Sequence, residues 1–154
     1  MNLSNLKSII VLSGCPDSGK TAILNEVCNR ISSSQKMTAF NPNEQEHSRT
    51  SLGDQRFAAI YNGRKVAVCT AGDDATCVFK AFLYAEKVCA DAVVMALSVH
   101  KYGYKTAEVA FNEIVASQRL RSIVDRTVST TKHKQPKPKG YVDATKVRAI
   151  FHKI

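Results

Sequence analysis

Long apolar runs are missing from this sequence, and none approaches the roughly 20 residues that a membrane-spanning helix requires. Its first residues, Met1 to Asn5, contain neither the basic leader nor the small-residue cleavage site of a secretion signal. We therefore expect a cytoplasmic protein that has no membrane partner.

Paired cysteines are also missing. The five cysteines are scattered, and no two have the C-x-x-C spacing of a zinc ribbon or a thioredoxin-like redox site. Because their number is odd and the expected compartment is reducing, we predict free thiols. Most of them should pack as small buried hydrophobes. The five are Cys15, Cys28, Cys69, Cys77 and Cys89.

Acidic residues are scarce in the last part of the chain. The formal charge is +9, and after Asp125 eight basic residues are opposed by a single acidic one, Asp143. Residues 126–140 include Pro136 and Pro138 and are predicted to form a basic linker or lid. Its lysines could grip nucleic-acid phosphates or close over a bound anion, but we favour a solvated linker. The basic residues are Arg126, Lys132, Lys134, Lys137, Lys139, Lys146, Arg148 and Lys153.

The composition that remains is typical of a folded protein. Hydrophobic residues make up 44% of the 154 residues and charged residues 23%, which suits one domain with a single core. Strand-like apolar runs alternate with stretches of helical spacing, which predicts an α/β fold. We expect the main domain at 1–125, the linker at 126–140 and a C-terminal helix at 141–154 that packs on the domain. That helix is capped by Asp143 and packs through Val147, Ile150, Phe151 and Ile154.

A turn signal in the sequence predicts one antiparallel strand in the sheet. Asn62-Gly63 lies between the apolar runs 56–61 and 64–69, and this dipeptide favours a tight hairpin because both residues adopt positive φ. Other strands are predicted at 6–12, 36–40, 91–99 and 120–124. Three helices are predicted: from Thr21 to Ile31, from just after Asp74 to Cys89, and from Thr106 to about Arg119.

One motif stands out between the first strand and the first helix. Residues 14–21 satisfy G-x-x-x-x-G-K-[ST] at every fixed position. Glycines let the backbone wrap around phosphate oxygens, and the N-terminus of the following helix attracts the anion. In loops of this type the lysine, here Lys20, reaches the β- and γ-phosphates, and the hydroxyl of the next residue, here Thr21, binds Mg²⁺. The eight residues are Gly14, Cys15, Pro16, Asp17, Ser18, Gly19, Lys20 and Thr21.

From this strand–loop–helix unit the chain resembles the P-loop NTPase superfamily, in the style of its kinase and GTPase branch. The resemblance is specific over residues 6–31. It implies a three-layer fold with a mostly parallel sheet, Mg²⁺ as cofactor and a nucleoside triphosphate as ligand. The alternative is a glycine-rich surface turn.

A carboxylate near the ligand end of a neighbouring strand should complete the magnesium site. Asp73 is the first choice and Asp74 the second, because both follow a predicted strand. Both could instead cap the next helix. Asp54 precedes the antiparallel strand, so it also falls near the ligand end, whereas Asp91 precedes a parallel strand and falls at the wrong end.

Residues 66–73 resemble the D-T-A-G segment of Ras-like GTPases, which also follows an antiparallel hairpin. Cys69 stands where that family has its magnesium-linked aspartate, and Asp73 stands where it has its water-orienting glutamine. The guanine-reading N-K-x-D motif occurs nowhere in the chain. We therefore expect ATP rather than GTP.

Further polar residues are expected at the ligand end of the sheet. Arg126 follows the predicted last strand, where it could stabilise phosphoryl charge as an internal arginine finger or remain a solvated loop residue. His100-Lys101, and also His47 and Arg49, lie in comparable loops.

Two functions stay open from the sequence. In the first, Lys20, Asp73 and Arg126 catalyse hydrolysis or phosphoryl transfer to a small-molecule acceptor that the sequence does not identify. In the second, the chain is a nucleotide-dependent switch or binding module with little turnover, and residues 43–54 and 72–75 become ordered with the triphosphate.

Overall fold

Strands and helices alternate along the chain in a computed structural model, which describes residues 1–16, 18–47, 53–99, 107–131, 137–138 and 141–154. Asp17, Arg49, His100 and Lys101 lie outside the described residues. No helix among the described residues is long and apolar enough to cross a membrane. The strands are β1 (Ser8–Gly14), β2 (Met37–Ala39), β3 (Glu46–His47), β4 (Gln55–Tyr61), β5 (Arg64–Cys69), β6 (Ala92–Ser98) and β7 (Val124–Thr130); the helices are α1 (Lys20–Ser33), α2 (Ala75–Lys87), α3 (Ala107–Ser117) and α4 (Ala144–Phe151).

The described strands form one mixed sheet in the order β2-β4-β5-β6-β1-β7, with β3 also pairing with β4. β1 pairs with β6 and β7, and β5 with β6, all in parallel. The antiparallel pairings all involve β4. β4 therefore runs against its neighbours, and the predicted α/β class is confirmed, with a mixed sheet. Asn62 and Gly63 have φ values of 52° and 78°, as the hairpin prediction requires.

Two apolar layers cover the sheet. α2 and α3 pack on one face and α1 and α4 on the other. Along β1, Ile9 and Val11 contribute to the first layer, and Ile10 and Leu12 to the second. A central strand covered on both faces is expected to be apolar throughout, which is why the sequence shows it as an unbroken run. The core thus fixes β1 rigidly below the loop that follows it.

The last strand differs from its prediction. Residues 121–123 form a 3₁₀ turn, and β7 begins at Val124 and ends at Thr130 rather than occupying 120–124. Only Val128 of the strand is fully buried, since β7 lies at the edge of the sheet. An edge strand with polar, β-branched residues carries no apolar run, so the sequence pattern does not reveal it. Residues 126–130, predicted to be linker, therefore belong to the sheet.

The C-terminal helix docks as the sequence predicts. The Asp143 carboxylate accepts a hydrogen bond from the Thr145 backbone N–H at 3.0 Å and caps α4. Val147 and Ile150 are fully buried beside α1. α4 is thereby part of the core.

Replacing Ile150 with alanine should lower the free energy of unfolding by about 2–5 kcal/mol, because it removes a fully buried side chain from the α1–α4 layer. Val109→Ala on α3 is the matched control, since Val109 is exposed, and it should change stability by less than about 0.5 kcal/mol. Urea unfolding followed by circular dichroism measures both. Equal stability of the two variants would show that α4 is not docked.

Candidate functional site

The loop of residues 14–21 lies at the carboxyl edge of the central strands. β1 leads to α1 on one face of the sheet, while its neighbour β6 leads to α3 on the other. Adjacent strands whose connections diverge to opposite faces leave a crevice at their carboxyl ends, and ligands of open α/β sheets bind there. Polar side chains that converge at this edge are therefore the candidates for ligand binding.

The geometry of the loop explains why glycine occupies both of its fixed glycine positions. Gly19 has a φ of 89° and precedes the first residue of α1. A Cβ on Gly14 would lie 2.2 Å from Thr130 Oγ1 and 2.6 Å from Ser18 Oγ. These two hydroxyls are hydrogen-bonded to each other at 2.5 Å. The loop is thus closed against the end of β7.

Lys20 is held over the loop. It is the first residue of α1 and only 6% exposed, and its Nζ donates a hydrogen bond to the Cys15 carbonyl at 2.7 Å. The unpaired N–H groups of the first turn of α1 give this end of the helix a partial positive charge. The loop therefore combines a formal and a partial positive charge in one place.

Among the described residues, Thr21 has a hydrogen bond to the carboxylate of Asp54, which lies just before β4. Asp54 Oδ1 accepts hydrogen bonds from Thr21 Oγ1 at 3.2 Å and from Thr70 Oγ1 at 3.1 Å. Thr70 follows β5 and is 1% exposed. The sequence placed Asp54 near the ligand end of the sheet, but Asp73 and Asp74 were the first and second choices for the magnesium site.

Asp54 and Asp73 line one cavity, and the carboxylate of Asp73 is held by a residue of a different strand. Its Oδ1 accepts a hydrogen bond from Ser98 Oγ at 2.6 Å, and Ser98, the last residue of β6, is fully buried. The cavity has a volume of about 480 Å³. Its lining consists of Gly19, Lys20, Thr21, Ala22, Asn25, Asp54, Thr70 and Asp73.

Asp74 has the alternative role that the sequence offered. Its Oδ1 accepts a hydrogen bond from the Cys77 backbone N–H at 2.7 Å and caps α2. This hydrogen bond lowers the pKa of Asp74. Asp74 is not among the residues that line the cavity. Its predicted role as a metal ligand has no support from this placement.

Cys69 does not face the loop. It is fully buried on the α2 side of the sheet, its Sγ lies 3.9 Å from the Ala81 carbonyl, and burial raises its pKa. β6 also separates β5 from β1. Packing explains why residue 72 is a glycine, because a Cβ there would lie 2.0 Å from the Ala96 carbonyl oxygen. The glycine of the segment that resembles D-T-A-G is therefore explained by a close approach of two backbones.

Arg126 is not at the predicted end of the sheet. Because β7 begins at Val124, Arg126 lies near the amino end of the strand. Its Nη2 donates to Glu108 Oε1 at 2.9 Å, and its guanidinium lies 5.6 Å from the centre of the Phe111 ring. The expectation that Arg126 follows the last strand is wrong, and this placement gives no support to an arginine finger.

The remaining candidates stay apart from the cavity. His47 is exposed on β3. Asp91 precedes β6, as the strand rule predicted, and its Oδ2 accepts a hydrogen bond from the Lys65 backbone N–H at 2.8 Å. Within the described ranges, no three His, Cys, Asp or Glu side chains form a cluster that could hold a metal. All five cysteines are free thiols, as predicted, but only Cys28 and Cys69 are fully buried.

Thr70, Ser98 and Thr130 were missed by sequence reasoning. Each is a single hydroxyl at or just after the carboxyl end of a strand, and a lone threonine or serine forms no motif. The only signal available was their position directly after buried runs, at the edge where Gly14 lies.

Comparisons with known proteins gave no relative. No protein-family model matches the chain, and neither a curated protein nor a solved structure is significantly similar to it.

Replacing Gly72 with alanine should destabilise the protein by about 1–3 kcal/mol, because the new Cβ would overlap the Ala96 carbonyl and force the backbones of β6 and the β5–α2 connection apart. Ala71→Ser, which adds one atom to the half-buried neighbour, is the control and should cost less. The midpoints of urea unfolding give the comparison. An unchanged midpoint for Gly72→Ala would contradict the close approach.

Proposed function

We propose that the chain is a P-loop nucleoside-triphosphate-binding protein that uses Mg²⁺ and binds ATP in preference to GTP. It either hydrolyses the triphosphate or transfers its terminal phosphoryl group to a small acceptor. The phosphates lie along residues 14–21, where Lys20 contacts the β- and γ-phosphates. The preference for ATP rests on the lack of an N-K-x-D sequence.

The observation that carries this proposal is the convergence of groups around the start of α1. The ammonium group of Lys20, the hydroxyl of Thr21 and the carboxylates of Asp54 and Asp73 line one cavity of about 480 Å³. A glycine-rich surface turn would not bring together a buried lysine and two carboxylates held by buried hydroxyls. Cation, hydroxyl and carboxylate in this arrangement match the needs of a magnesium-bound triphosphate.

The donor atoms fit magnesium. Mg²⁺ prefers hard oxygen ligands, keeps several waters, and is usually bound by one or two carboxylates together with substrate phosphates. Thr21 would hold it directly, with Asp54 and Asp73 contributing through their carboxylates. The ion would supply neutralisation of the phosphate charge. Thr70 and Ser98 orient the two carboxylates, since each donates a hydrogen bond to one of them.

Lys20→Ala should weaken binding of Mg²⁺-ATP by about 1.5 kcal/mol or more, roughly tenfold, because it removes a charge-assisted contact with the phosphates. Lys7→Ala is the matched control, since Lys7 is exposed and precedes β1 at the opposite edge of the sheet. Calorimetric titration with ATP and GTP, with and without Mg²⁺, measures the effect. Failure of folded wild-type protein to bind either nucleotide would refute the proposal.

Three isosteric variants distinguish the roles of the three acidic residues in Mg²⁺ binding. Asp54→Asn should remove about 1.5 kcal/mol of the Mg²⁺-dependent part of ATP binding, because the neutral amide lacks the negative charge that attracts the ion. Asp73→Asn should weaken it similarly and also slow phosphate release. Asp74→Asn should change neither, since asparagine caps a helix as well as aspartate does. A loss of Mg²⁺ dependence in Asp74→Asn alone would instead assign the metal to Asp74.

A regulatory switch is the second candidate, and the position of Asp54 favours it. Asp54 lies at the end of the segment that connects β3 to β4, so a ligand that engages its carboxylate also engages that segment. The phosphate-release assay on the same samples distinguishes the two. Turnover stimulated by an acceptor supports the enzyme, whereas tight binding with different hydrogen-exchange protection in the diphosphate and triphosphate states supports the switch.

A further inference from the structure

A second cavity lies on the other side of the loop. It has a volume of about 320 Å³ and reaches from Ser18 and Gly19 to the end of β7 and the beginning of α4. Pockets for small organic ligands start at about this size. Gly19 lines both cavities, so the second adjoins the one that contains Lys20 and Asp73. Its lining consists of Ser18, Gly19, Ile23, Ser129, Thr130, Thr131, Lys137, Tyr141, Asp143 and Lys146.

The walls of this cavity combine an aromatic ring, an apolar side chain and groups that accept and donate hydrogen bonds. Tyr141 supplies the ring, and Lys137 Nζ lies 5.2 Å from its centre. Ile23 supplies the apolar side chain. The Asp143 carboxylate accepts hydrogen bonds from Thr145 through Oδ1, and those bonds, with the Thr145 hydroxyl first, lower the pKa of Asp143. Asp143 is therefore an ionised acceptor at neutral pH.

The position of the cavity excludes the phosphoryl acceptor as its occupant. An acceptor must approach the terminal phosphate, which the proposed function places beside Lys20 and Asp73. The second cavity lies across Gly19 from that point and is lined by neither residue. The part of a nucleotide that extends away from its terminal phosphate is the nucleoside.

We propose that this second cavity binds the ribose and base of the nucleoside triphosphate, so that the C-terminal segment supplies the nucleoside site. This inference rests on the proposed function. Tyr141 provides a face on which a base stacks, and Asp143 accepts hydrogen bonds from ribose hydroxyls or from base N–H groups. Lys146 donates from the first turn of α4. The part-buried Ser18–Thr130 hydrogen bond joins the wall of this site to the phosphate loop.

The test compares two ligands that differ only in the nucleoside. Mg²⁺-ATP and Mg²⁺-tripolyphosphate are titrated by calorimetry into the full-length chain, its Tyr141→Ala variant and its Asp143→Ser variant. Serine caps a helix as well as aspartate does, so Asp143→Ser removes the carboxylate and keeps the cap of α4. Phe40→Ala is the control for Tyr141→Ala, because Phe40 is a similarly exposed aromatic residue just after the edge strand β2. Circular dichroism and thermal melting check the folding of each variant.

Tyr141→Ala should weaken ATP binding about 5- to 150-fold, the range that loss of one base–aromatic stack produces, and leave tripolyphosphate binding unchanged. Asp143→Ser should weaken ATP binding at least about fivefold, again without affecting tripolyphosphate. Unchanged ATP binding in both variants would overturn the inference. Equal weakening of both ligands would overturn it too, because the cavity would then contact phosphates as a lid. If wild type bound neither ligand, the proposed function would fail and this inference with it.

Discussion

The parallel pairing of β1 with its two neighbours, continuous in register with β6 and with one register shift against β7, is the constraint on which the candidate site depends. Gly14, the last residue of β1, is paired with Ser98 at the end of β6 and with Thr130 at the end of β7. Ser98 donates to Asp73, and Thr130 shares a hydrogen bond with Ser18. Because the three strands end at one level, polar groups far apart in sequence surround the loop. A shift of one residue in either pairing would turn these side chains to the opposite face of the sheet.

The sequence predicted the features that depend on local geometry or on a repeating pattern. Asn62-Gly63 required a hairpin because few other dipeptides adopt two positive φ angles. The apolar stripe of α4 predicted docking, because Val147 and Ile150 recur at helical spacing. Asp91 was placed at the amino edge of the sheet simply because it precedes a parallel strand.

The features that the sequence could not predict depend on tertiary pairing. The strand β7 was misplaced because an edge strand needs only one buried residue, Val128, and its polar residues resemble a loop. Arg126 was therefore assigned to the wrong end of the sheet. The contact between Asp54 and Thr21 could not be predicted for another reason, since it arises from the position of β4 in the sheet.

The basic tail is also less free than its composition suggests. Arg126 pairs with Glu108, and Lys153 donates to Asp125 at 2.7 Å, which lowers the pKa of Asp125 to about 2. These partners lie in the body of the protein, so a count of charges along the chain could not reveal them. The Lys153–Asp125 pair thus attaches the C-terminal segment to the sheet, and less of the positive charge remains for nucleic acid.

The docking of α4 also has a consequence for biosynthesis. The apolar layer that covers α1 is completed only by Val147 and Ile150, which leave the ribosome long after α1 has been made. Until then, α1 and its side of β1 lack their last partner, because a layer built from distant segments cannot close before both are present. The nascent chain therefore exposes apolar surface at the very helix that begins with Lys20.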